Sequence, residues 1–124
     1  MNAVQMAVTQ TWQANSALKF DGWNRTCADA SVGLRMKISD EGPDAKGLGT
    51  QIDKKPAGMV LNFTFENWSR ACKDASMYEK CVASIAVHEF GHALGFAHER
   101  NRPDTPGECA NRAQGGNVAA LADA

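Results

Sequence analysis

The chain has 124 residues, enough for one domain with a core of its own and too few for two. Hydrophobic residues make up 44% and charged residues 22%, the balance of a soluble globular domain. A net charge of -1 argues against a surface built for nucleic acid or anionic membrane, and no apolar run approaches the roughly 20 residues that cross a bilayer.

The N-terminal stretch MNAVQMAVTQTWQ lacks the basic start and uninterrupted apolar core of a signal peptide. Either the protein stays inside, or an export signal is missing from this sequence. In residues 3–18, Val4, Ala7, Val8, Thr11, Trp12 and Leu18 recur at helical spacing, with Gln5, Gln10 and Gln13 between them. That spacing predicts an amphipathic scaffold helix. FDGWNRTCADAS reads as a loop with a packed Trp23. In residues 32–39, Val32, Leu34, Met36 and Ile38 alternate with Gly33, Arg35, Lys37 and Ser39, the period of a strand with one buried face. DEGPDAKG is loop by its Gly and Pro content. Residues 48–52 read as either a short strand or a loop, KKPAG as a turn, and residues 59–65 (MVLNFTF) as a largely buried strand.

Ser76 stands three residues before Glu79, a capping-box signature opening a helix. Val82, Ile85, Ala86, Phe90 and Ala93 form its apolar stripe, and Gly95 is its stop. After Arg102 the run RPDTPGECANRAQGG is turn-rich. The order is helix, strands, then a long helix, an α+β domain.

Four cysteines, Cys27, Cys72, Cys81 and Cys109, allow three full pairings, and none forms a Cys-x-x-Cys pair. A local Cys72–Cys81 bridge would staple the loop leading into the last helix and indicate an oxidising compartment; buried free thiols are the alternative. Of three Asn-x-Ser/Thr triplets, at Asn24, Asn62 and Asn67, the second lies in the expected buried strand, where chance explains it better than modification.

The chemistry concentrates in HEFGHALGFAHE, which holds all three histidines. His88 and His92, four residues apart on a helix, project from one face. Gly95 ends the helix and turns the chain so that His98 can close the set. A catalytic zinc takes three protein ligands and leaves a position for water, whose pKa it lowers to about 7. His88, His92 and His98 are the candidate Zn2+ ligands. Glu89 follows His88 directly, about 100° round the helix. It therefore stands beside the metal rather than on it, the place for a general base that takes a proton from water and delivers it to a leaving amine. Incidental histidines on a non-catalytic interaction domain are the rival reading.

The motif resembles that of the metzincin zinc endopeptidases, matching at His88, Glu89, His92, Gly95 and His98. Glu99 is similar to the acidic residue that follows in astacins; it reads equally well as a solvated side chain. Astacin-like and matrixin-like membership fit about equally. The resemblance implies a zinc-dependent endopeptidase acting as a secreted monomer on protein or peptide substrates, without nucleic-acid or membrane partners. It also implies a metzincin-like upper subdomain, a small twisted mixed sheet packed with an N-terminal helix and the zinc helix. Residues 48–52 would be the edge strand that pairs with substrate. Metzincins carry a methionine turn after the third histidine, but Met1, Met6, Met36, Met59 and Met77 all precede His88. Tyr78, the sole tyrosine, lies about two turns or more from the ligands and cannot stand in for the astacin tyrosine ligand. The expectation is that residues 1–124 form one partial catalytic domain, with an inactive zinc-binding piece as the alternative to an active one.

Overall fold

The computed structural model describes residues 1–28, 32–98, 101–104 and 106, in which two helices pack with a small mixed sheet as an α+β fold. Helix α1 (Asn2–Val8) continues as a π-helical turn, Thr9–Gln13, closed by the Ala14 N–H on the Thr9 carbonyl at 3.0 Å. It stops short of the expected residue 18. The Asn15 amide and Ser16 hydroxyl donate to the carbonyls of Thr11 and Trp12, both at 2.7 Å, local bonds that compete with helix continuation. Leu18 is consequently exposed.

The sheet order is β1 (Met36–Ile38), β3 (Met59–Leu61), β2 (Asp44–Ala45). β1 runs parallel to β3 with Met36 opposite Met59, and β2 runs antiparallel with Asp44 opposite Val60. The central strand is buried throughout, which explains its unbroken apolar sequence. The alternation expected over residues 32–39 does not hold. Only three residues pair, Val32 is 74% exposed and Ile38 is exposed, while Arg35 is buried and donates to the carbonyls of Ala28 and Lys54.

A second correction concerns the edge. Residues 48–52 are not a strand: Gly49–Ile52 is a 3-10 turn, with Gly49 at φ 57° and the Gln51 side chain accepting the Leu48 N–H at 2.9 Å. The edge strands are β1 and β2, and β2 lies inside the run DEGPDAKG, expected to be loop. The strand expected over residues 59–65 ends at Leu61 because the Asn62 carboxamide oxygen accepts the N–H groups of Thr64 and Phe65, at 2.9 and 2.8 Å. Asn62 is buried, and its amide nitrogen donates to Asp40 and to the Glu41 carbonyl.

Helix α2 (Tyr78–Ala93) starts without the expected capping box: its N-cap is Met77, and the Ser76 hydroxyl donates to Asp74 instead. Val82, Ile85, Ala86, Glu89 and Phe90 are buried at helical spacing. Their apolar members join Val4 and Val8 of α1, Met59 and Leu61 of β3, and Phe65 in one core. A disulfide joins Cys72, in the 3-10 turn Arg70–Lys73, to Cys81 in the first turns of α2. Cys27 is a free, exposed thiol. Cys109, Glu99 and nearly all of the turn-rich run after Arg102 lie outside the described residues.

Candidate metal centre

Helix α2 ends as the sequence requires. Gly95, at φ 101°, takes the left-handed conformation past the C-cap Leu94. The N–H of Gly95 reaches the His92 carbonyl at 2.9 Å, and that of Phe96 reaches the Gly91 carbonyl at 3.0 Å. This paired closure is a Schellman motif. It reverses the chain within one turn, and His98 comes back toward the helix face carrying His88 and His92.

The three side chains meet at their Nε2 atoms, each 3.1 Å from the other two. Nitrogen ligands at zinc bond lengths of about 2.0–2.1 Å in tetrahedral geometry stand about 3.3–3.4 Å apart, so the triangle fits one ion closely. Hydrogen bonding cannot account for it. An imidazole Nε2 is either a donor or an acceptor, and among three such atoms at least one pair must be alike. The neutral His92 imidazole is an acceptor there: its Nδ1 lies 2.6 Å from the Phe96 carbonyl, which only accepts, so Nδ1 carries the one proton and Nε2 the lone pair. Such a donor set is satisfied by a cation. His88, His92 and His98 form the one group of three or more potential metal-ligating side chains among the described residues.

Glu89 is 5% exposed, and its Oε2 has no hydrogen-bond partner among the described residues. Burial pushes its carboxyl up to about 7, and the negative charge of Asp44 on β2 adds to the rise. A carboxylate in that range both accepts and releases a proton near neutral pH. The sequence reading missed three contributors. Asp44 falls in a run whose Gly and Pro content predicts loop, Trp12 on a helix predicted to be scaffold, and Phe96 at a motif position with no role of its own. Trp12 donates its indole N–H to the Val87 carbonyl at 2.8 Å and stacks on Phe96, ring centroids 5.4 Å apart. No local signal links residue 12 to residue 96; only the packing of α1 on α2 brings them together.

The family model described as matrixin matches residues 1–105. The chain belongs to the matrixin family. No curated protein and no solved structure matches it. Membership supports a zinc metalloprotease function, with protein or peptide as the class of substrate. The helices and mixed sheet are consistent with the upper subdomain of a metzincin-type matrixin fold. Matrixins are commonly extracellular, and the Cys72–Cys81 disulfide accords with that setting.

Proposed function

We propose that this matrixin is a secreted zinc endopeptidase, with the metal on His88, His92 and His98 and with Glu89 as general base and then general acid. The observation that carries the reading is the convergence of three Nε2 atoms at 3.1 Å, two of them from the helix that also carries the buried Glu89. A zinc ion bound there would polarise the scissile carbonyl and lower the pKa of a bound water to about 7. Glu89 takes a proton from the attacking water as the new carbon–oxygen bond forms. It returns that proton to the amine nitrogen as the carbon–nitrogen bond breaks. Burial of Glu89 favours the first half of this relay, because desolvation disfavours the charged carboxylate and so strengthens its hold on the proton it takes up.

Among the described residues the edge strand β2 has one side paired with no other strand, where an extended peptide can add as a further strand. Asp44 lies on that strand and acts electrostatically on Glu89, so a peptide paired there runs close to the general base. Zinc analysis of the folded protein together with peptide cleavage by wild type and Glu89→Ala tests the reading. One zinc per chain and cleavage that needs Glu89 are expected. Zinc without such cleavage would reduce the protein to a metal-binding domain. A well-folded sample that takes up no zinc at neutral pH would sink the assignment altogether.

A further inference from the structure

The metal-ligating ends of the histidines are only half of the centre; the other half is what holds them in place. His92 is oriented by the carbonyl of Phe96, a residue of the closing turn rather than of the helix. That carbonyl can hold His92 only while the turn stays against the helix end. Two backbone bonds close the turn, but the Phe96 ring itself is 59% exposed, and the ring stacked on it is Trp12. The two planes lie 17° apart. Trp12 is fixed in turn from two sides. Its N–H is bonded to the Val87 carbonyl within α2 at 2.8 Å. Its six-membered ring lies against Gly91, so close that a Cβ there would stand 3.1 Å from Cζ2. Trp12 lies in the π-helical turn Thr9–Gln13, a backbone feature of the kind that recurs at functional sites.

We propose that Trp12 is a positioning residue for the metal centre. By clamping Phe96 to the end of α2, it keeps the Phe96 carbonyl on His92 Nδ1 and so fixes the tautomer that presents the Nε2 lone pair. The proposal deepens the metal-site reading and rests on it. Outer partners of a ligating imidazole govern metal affinity through ring orientation and tautomer, and their loss typically costs about 10–100-fold. Here the outer partner is a backbone carbonyl, which no substitution removes directly. The side chains that hold the carbonyl in place carry the dependence instead.

Phe96→Ala is the decisive variant, because its exposed ring can be removed without opening the core. Zn2+ and Co2+ affinities are measured for wild type, Phe96→Ala, Phe96→Tyr and Trp12→Ala, with the cobalt d–d spectrum recorded for each. The His92 tautomer is read from two-bond nitrogen–proton correlations in the metal-free proteins. Phe96→Ala should weaken both metals by roughly tenfold or more, alter the cobalt bands and mix the His92 tautomers, while Phe96→Tyr keeps the ring and restores all three. A folded Trp12→Ala should match Phe96→Ala, and combining the two should cost little beyond either alone. Wild-type affinity with a single Nδ1–H tautomer in Phe96→Ala would overturn the clamp, whatever Trp12→Ala does. Wild-type protein that bound neither metal would overturn the metal site and the clamp together.

Discussion

Gly91→Ala places a methyl group against the Trp12 indole, and two opposing effects can be weighed there. Gly91 lies inside helix α2 and is buried. Replacing a helix-interior glycine by alanine ordinarily gains about 1 kcal/mol of backbone propensity. The new Cβ, however, would stand 3.1 Å from Trp12 Cζ2, inside the 3.5–4.0 Å of an ordinary carbon–carbon contact. The indole cannot slide away freely, since its N–H is bonded to Val87 and its face is stacked on Phe96. Overpacking of this kind costs about 1–3 kcal/mol, so the net expectation is a loss of about 1 kcal/mol. Urea denaturation of the metal-free, disulfide-intact protein would read this as a midpoint lower by about 0.5–1 M, for a slope of 1–2 kcal/mol/M. In a Trp12→Leu background the obstruction is gone, and the same Gly91→Ala should stabilise by about 1 kcal/mol. A rise in midpoint for Gly91→Ala alone would refute the claim that the indole is fixed. Equal effects in both backgrounds would show that Trp12 is not what opposes the methyl group.

Glu89→Gln should keep zinc near one per chain and lower kcat by about 10²–10⁴, the usual contribution of a positioned acid–base group; steady-state cleavage within tenfold of wild type would exclude the assigned role. Replacing Cys72 and Cys81 together by alanine opens a loop of sequence separation 9, for which chain entropy gives a loss of about 2–3 kcal/mol, seen as a lower denaturation midpoint. Because the bridge pins the end of α2 opposite the histidines, zinc affinity of the folded variant should stay within a few-fold of wild type, and a hundredfold fall would contradict that separation. Partial desolvation acts to raise the Asp40 carboxyl, but hydrogen bonds from the Asn67 N–H, the Asn62 amide, the Glu66 N–H and the Asn67 amide hold it below its ordinary 3.8. Its stabilising contribution is therefore present above pH 3.8 and disappears as the pH falls through the folded value. Asp40→Asn should be less stable than wild type at pH 6 and converge with it in acid, and a gap that widened on acidification would reverse the sign of the argument.

The difference between what could and could not be read from the sequence follows from the range of the interactions involved. His88, His92, Gly95 and His98 lie within one helix and its closing turn, so spacing and a single left-handed glycine largely set where their side chains go. The Cys72–Cys81 bridge spans nine residues, short enough for local spacing to suggest it. The strands were harder to place because side chains override their alternation. Arg35 is buried with its guanidinium bonded to the carbonyls of Ala28 and Lys54, and Asn62 ends β3 with its own carboxamide, so a period of two says little about which residues face the core. The edge strand, only two residues of an apparent loop, takes its identity from pairing with β3, a long-range fact. The same reasoning separates the two halves of the metal centre. Its candidate ligands are a local pattern, whereas the proposed support by Trp12 depends on a contact 75 residues long to Val87. A motif alone therefore specifies which atoms can bind a metal, and the fold around it decides how firmly they are held to that task.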